Sequence, residues 1–186
     1  MENAIVIIFV SGGARSGKSN YAEEMAISLS KQPCENKKGR LYYIATAKKS
    51  DDEMIERITI HQAQRAGRWQ TVEEHYHIED ILSNCRKDDV MLLDCLTIWL
   101  SNVSFELGYN LDRVKKAVAS WLDIAGNKHF HLVIVSNDVH EGMPPSDEVV
   151  FSYMYTLQQL HQLIVQRADL AVEVQAGIPI IWKEEK

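Results

Sequence analysis

An apolar run of strand length, Ala4-Ile5-Val6-Ile7-Ile8-Phe9-Val10, leads straight into Ser11-Gly12-Gly13-Ala14-Arg15-Ser16-Gly17-Lys18-Ser19. A helix-compatible segment, Asn20 to Ser30, follows. Strand, glycine-rich turn and helix in this order form a phosphate-binding loop, G-x-x-x-x-G-K-[ST], in the setting the motif requires. The glycines let successive backbone N–H groups turn inward around phosphates. The helix that follows points the positive end of its dipole at the same place. Lys18 is placed to reach β- and γ-phosphate oxygens, and Ser19 to offer its hydroxyl to Mg²⁺.

The rest of the chain must build a sheet around that first strand. Its 186 residues suit one P-loop nucleotide-binding catalytic domain over residues 1–186. A hydrophobic fraction of 46% and a charged fraction of 25% are those of ordinary globular protein. The formal net charge of −6 lacks the basic footprint of a nucleic-acid binder, so no nucleic-acid partner is expected. The three cysteines, Cys34, Cys85 and Cys95, are too few and too scattered for a zinc cluster. An odd count without a leader pattern points to reduced thiols in the cytoplasm. The first apolar run is too short to cross a bilayer, so membrane insertion is not expected.

Further strands are predicted at Leu41–Thr46, Trp69–Glu73, Val90–Asp94, Phe130–Ser136, Leu170–Gln175 and Ile178–Trp182. Helices are predicted at Asp51–Ala66, Ile78–Cys85, Leu96–Leu107, Leu111–Ala125 and Val149–Arg167, with Gly126-Asn127 ending the fourth. This alternation makes the fold class α/β and P-loop NTPase-like. The expected sheet is mostly parallel and flanked by helices on both faces. The closely spaced last two strands are expected to form a hairpin that leaves one antiparallel edge strand. Ligands of such sheets bind at the carboxyl ends of the strands. That rule selects the loop after the first strand, Thr46–Asp52, Glu73–His77, Asp94–Thr97 and Ser136–Glu141.

Asp94 ends the apolar strand Met91-Leu92-Leu93-Asp94, the pattern of the carboxylate that holds Mg²⁺ beside a P-loop. Capping the next helix is compatible with that role. His61 shares a helical face with Arg57, Ile58 and Arg65. The residues alone leave it open between a phosphorus nucleophile helped by arginines and an ordinary half-buried histidine. Glu73 suits a sugar or base hydroxyl as an acceptor, and equally a solvated surface.

These segments together resemble the bifunctional adenosylcobinamide kinase / adenosylcobinamide-phosphate guanylyltransferase family of cobalamin biosynthesis. The resemblance rests on Gly12-Gly13-Ala14-Arg15-Ser16-Gly17-Lys18-Ser19, Tyr43-Ile44-Ala45-Thr46-Ala47, and Asp52-Glu53-Met54 with Arg57-Ile58 and His61. It continues through Trp69 with Glu73, Leu93-Asp94-Cys95-Leu96-Thr97-Ile98-Trp99-Leu100-Ser101-Asn102, and Val135-Ser136-Asn137. The resemblance implies a kinase step on adenosylcobinamide and a transfer of GMP from GTP to adenosylcobinamide phosphate, with GTP and ATP as substrates. It makes His61 the guanylylated nucleophile and Lys18 its catalytic companion. It places nucleotide contacts at Gly12 to Ser19, at Ile44, Ala45 and Thr46, at Gln62, Ala63, Gln64 and Arg65, and at Glu73 and Asp94. It makes a corrinoid the small-molecule partner and the assembly a homotrimer, while Ser19 and Asp94 stay the metal ligands that the P-loop and the strand-ending acid imply.

The C-terminal third departs from the family pattern. The loop reads Asn137-Asp138-Val139-His140-Glu141-Gly142-Met143-Pro144-Pro145 instead of Asn-Glu-Val-Gly followed by Gly and Val-Pro. Met154, Gln158 and His161 stand where the family helix usually carries Arg, Gly and Asn. Two other readings remain open at this stage: a monofunctional P-loop kinase of a different small molecule, and a non-catalytic GTP-binding regulatory protein.

Overall fold

The computed structural model describes residues 6–31, 39–48, 67–139 and 147–185. The helix expected over 51–66, which carries His61 and Gln62 to Arg65, lies outside the described residues, as do Cys34 and His140.

Among the described residues seven strands form one sheet: β1 (Ile7–Gly12), β2 (Leu41–Ala45), β3 (Gln70–Glu73), β4 (Val90–Asp94), β5 (His131–Asn137), β6 (Leu170–Gln175) and β7 (Ile178–Glu184). Their spatial order is β3-β2-β4-β5-β1-β6-β7. Every pairing is parallel except β6 with β7, the expected hairpin at one edge. Parallel strands buried on both faces read as continuous apolar runs. Val90 to Leu93 and Leu132 to Val135 have that character and are buried throughout.

Helices cover both faces. On one lies α1 (Lys18–Ser30), whose Ala22, Ala26 and Leu29 pack with Ile8, Val10, Leu92 and Val133. The other face carries α2 (Ile78–Leu82), α3 (Leu96–Leu107), α4 (Leu111–Lys128) and α5 (Glu148–Arg167). Trp99 of α3 meets Trp121 of α4 edge-on at the centre of that core, with ring centroids 4.4 Å apart. The indole N–H groups are bonded as burial demands: Trp99 donates to the Tyr76 carbonyl at 2.9 Å and Trp121 to Glu79 Oε2 at 3.2 Å.

Some boundaries differ from the sequence reading. β1 runs on to Gly12, because pairing with β5 and β6 carries the strand into the first glycines of the loop. α4 continues through Gly126-Asn127 and ends at Lys128, with His129 in the left-handed conformation as its cap. Glycine inside a helix costs about 1 kcal/mol. The burial of Trp121, Leu122 and Ala125 one turn earlier offsets it. His131 opens β5 and is buried there, where its Nδ1 accepts the Val6 amide at 3.2 Å.

Candidate active site

The parallel register brings the carboxyl ends of β1 to β5 to one edge of the sheet. The P-loop leaves β1 there. Arg15 takes a positive φ of 58°, and Gly17 one of 92° immediately before α1. Gly12 has no room for a side chain: a Cβ would come within 2.4 Å of the Val174 carbonyl oxygen and 2.6 Å of Ser16 Oγ. The loop is held from outside as well. Asp138 N–H donates to the Gly12 carbonyl at 3.0 Å, and Gly177 N–H, from the β6–β7 turn, donates to the Ser16 carbonyl at 2.8 Å.

Lys18 is buried, and its ammonium donates to the Gly13 carbonyl at 3.0 Å. The side chain thus folds back across the mouth of the loop, where the motif needs its charge. Ser19 is half-buried in the first turn of α1. Ser16 Oγ is buried and makes no hydrogen bond among the described residues. A buried hydroxyl without a partner is costly, and inside a phosphate cradle an anion would satisfy it.

Asp94 ends β4 and is separated from β1 by one strand, β5. At about 4.8 Å per strand this puts it roughly 10 Å across the sheet from the loop, the width of a phosphate chain with a cation. Its Oδ2 accepts a hydrogen bond from the Tyr43 hydroxyl, which fixes the carboxylate's orientation. The Asp94–Cys95 peptide is cis. Burial, then the Asp94 charge, pushes the Cys95 thiol up to about 12. Cys95 is therefore a neutral thiol at physiological pH and no nucleophile.

Hard oxygen donors, a carboxylate and a hydroxyl, suit Mg²⁺, which takes one or two protein oxygens and completes its shell with phosphate and water. Among the described residues no group of three or more His, Cys, Asp or Glu stands ready to hold a metal. Mg²⁺ does not need such a group.

The β2 triplet divides its labour. Ile44 is in the core, Ala45 is half-buried, and Thr46 is fully buried at the strand end. The Thr46 hydroxyl donates to the Cys95 carbonyl at 2.9 Å and accepts the Cys95 amide at 2.8 Å. The Thr46 carbonyl accepts from Asn102 Nδ2 at 3.0 Å and lies 3.1 Å from His75 Nδ1. Thr46 thus ties the turn after Asp94 to the turn after β3.

Glu73 is exposed at the end of β3, in register with Ala45. Glu74, which the sequence places in the selected Glu73–His77 stretch without a role of its own, is the anchor of the following turn. Burial pushes its carboxyl up, but the amides of His77, Tyr76 and His75 outweigh that and hold it below its ordinary value. Lys48, Tyr76 and Glu106 close the same rim, with the Lys48 ammonium on both Glu106 oxygens at 2.6 Å. A cavity of about 360 Å³ between Lys31, Arg40 and Arg68 lies beside the amino ends of β2 and β3, away from this edge.

The structure brings together Gly12 to Ser19, Ala45, Thr46, Glu73 and Asp94 along one edge. It adds Ser136, Asn137, Thr97 and the Gly177 turn. A loop with its lysine buried, on a parallel α/β sheet with an oriented carboxylate two strands away, defines a P-loop nucleotide-binding protein. Solved structures agree on the fold. A protein of Pyrococcus horikoshii OT3 matches with a TM-score of 0.56 at 12% identity, covering 97% of this chain and 87% of that one. A KaiC-like protein of the same organism matches with a TM-score of 0.54 at 10% identity, covering 97% and 80%.

Sequence comparison names the family. The model of the cobinamide kinase / cobinamide phosphate guanyltransferase family matches residues 8–181, and the chain belongs to that family. It is 34% identical over 178 residues to the bifunctional adenosylcobalamin biosynthesis protein CobP of Pseudomonas aeruginosa, covering 95% of this chain and 96% of the relative. The corresponding proteins named CobU of Escherichia coli and Salmonella typhimurium are 27% and 29% identical, with 94% of this chain and 98% of each relative covered. Among the described residues no helix is long and apolar enough to cross a membrane.

Proposed function

We propose that the chain phosphorylates adenosylcobinamide with a nucleoside triphosphate and then transfers GMP from GTP to adenosylcobinamide phosphate, giving adenosylcobinamide-GDP. The observation that carries this reading is the convergence of the P-loop, Thr46, Glu73 and Asp94 on one edge of the sheet, in a chain whose family is named for these two reactions.

In the kinase step the aminopropanol hydroxyl attacks the γ-phosphorus, the bond to the β-bridging oxygen breaks, and the hydroxyl proton leaves. Lys18 and the loop amides stabilise charge on the transferring oxygens. Mg²⁺, held by Ser19 and Asp94, would neutralise phosphate charge there. In the second reaction a ring nitrogen of His61 attacks the α-phosphorus of GTP. An N–P bond forms, the bond to pyrophosphate breaks, and the imidazole proton is released. A phosphate oxygen of adenosylcobinamide phosphate then displaces the histidine, which returns to its starting state. Gly12 to Ser19 seat the phosphates, and Ile44, Ala45, Thr46, Gln62 to Arg65 and Glu73 hold the rest of the nucleotide. The enzyme works in the cytoplasm as a homotrimer, and the exposed apolar edge at β7 supports self-association.

Incubation with α-labelled GTP tests the reading. The wild type should acquire acid-labile label with release of pyrophosphate, His61→Ala should acquire none, and Lys18→Ala should lose both reactions. Equal labelling of wild type and His61→Ala would refute the covalent step.

A further inference from the structure

One run of hydrogen bonds reaches from α5 into the floor of the site. Ser136 is fully buried at the end of β5, the strand between the P-loop strand and the Asp94 strand. Its hydroxyl lies 2.7 Å from His161 Nε2 and 3.2 Å from Thr97 Oγ1. Thr97 Oγ1 accepts the Asn137 amide at 2.9 Å. The next amide, Asp138, donates to the Gly12 carbonyl at 3.0 Å. His161 also packs its ring on Phe9 of β1, with centroids 5.0 Å apart. Tyr153, earlier on α5, donates to the Thr97 carbonyl at 2.7 Å. α5 therefore holds Thr97 by its backbone and, through Ser136, by its side chain.

Buried serine and threonine hydroxyls are often satisfied by carbonyls of their own element. Here they link α5, β5 and α3, and the run ends on the backbone that meets the first glycine of the loop. An imidazole at 161 stays bonded to Ser136 in either form, since a bare Nε2 accepts the hydroxyl proton and a protonated one donates to its oxygen.

We propose that His161 is a positioning residue for phosphoryl transfer: through Ser136 and Thr97 it fixes the Asn137–Asp138 backbone against Gly12, and so the entry of the loop that seats the phosphates. The proposal rests on the kinase reading above. It assigns a role to a position where this chain departs from the family's usual asparagine.

Two variants separate this from packing. His161→Phe keeps a ring on Phe9 and loses the bond to Ser136, while His161→Gln offers an amide at similar reach. Amide hydrogen exchange at Asn137, measured on the free protein, should quicken in His161→Phe and return to the wild-type rate in His161→Gln. Turnover with cobinamide and nucleotide should fall about tenfold in kcat in His161→Phe with KM for nucleotide nearly unchanged, and His161→Gln should recover most of it. Ser136→Ala breaks the run one bond further on and should reproduce the His161→Phe result, which serves if the Phe variant does not fold. Unchanged exchange, faster exchange with unchanged kcat, or equal losses in the Phe and Gln variants would each overturn the proposal. A wild type without cobinamide kinase turnover would count against the functional reading instead. The exchange arm needs no substrate and would still decide whether the brace exists.

Discussion

Single residues at this site work through what holds them. Asp94 was legible in the sequence as an acid closing an apolar strand. Its orienting partner was not, because Tyr43 reads as one more residue of a buried strand until β2 and β4 are placed side by side. Tyr43→Phe keeps the ring against Trp69 and releases the carboxylate. Steady-state assays should show kcat down about three- to tenfold with the melting temperature little changed. His131 gives a prediction of opposite kind, on stability. Burial lowers its proton affinity below the ordinary value of 6.5, with Asp88 opposing weakly. The folded protein therefore keeps the ring neutral while the unfolded chain takes up a proton near that value. This contribution is complete above it and is lost as pH falls toward the folded-state value. Melting temperature should drop between about pH 7 and 5, and His131→Asn, which preserves an acceptor for Val6, should flatten that drop.

The elements themselves were largely readable, because parallel strands and amphipathic helices carry strong periodic signals. β4, α3 and β6 stand at their expected positions. What the pattern could not supply was contact across the sheet. Nothing in Ala176-Gly177 announces a role at a P-loop some 160 positions earlier in the chain, yet Gly177 donates to Ser16. Thr97 and Ser136 fall in loops that the strand-end rule selects, but their link to each other and to His161 is invisible until α5 crosses β5. The β6–β7 hairpin tests how far this support matters. Its two turn residues have positive φ, 49° at Ala176 and 82° at Gly177, the geometry of a type I′ turn. Alanine is strained there and asparagine is not, so Ala176→Asn should stabilise by about 0.5–1 kcal/mol. Gly177→Ala should destabilise by about 1 kcal/mol and weaken nucleotide binding, because the strained turn shifts its amide from the Ser16 carbonyl. Thermal melts and nucleotide titration of both variants check this. Loss of stability without loss of affinity would show that the turn does not support the loop.

At the scale of the whole molecule the sheet is asymmetric. Its β3 edge is short, while its β7 edge exposes Ile178 (66%), Ile181 (55%) and Trp182 (70%) on a strand that has one side unpaired among the described residues. Long apolar edge strands are sites of association, and proteins that remain monomeric blunt them with charge or proline. Here Pro179 lies near the start of β7, and Lys183 with Glu184 at its end. The centre, Ile180-Ile181-Trp182, is left apolar. Trp182 is anchored to β6 by its N–H on Glu173 Oε2 at 3.0 Å, so its ring is fixed and costs little further entropy on burial. If the chain assembles as the proposed homotrimer, β7 is the surface suited to face a neighbouring subunit. Light scattering should then give about three times the 21.2 kDa chain mass. Ile181→Lys combined with Trp182→Glu should reduce it to the single-chain mass while leaving the sheet folded, because neither side chain belongs to the core. If the nucleotide or corrinoid site also draws on a neighbouring subunit, turnover in the double variant should fall with the mass and recover at protein concentrations that restore assembly. A wild type that scatters as a single chain at assay concentration would remove β7 as an interface.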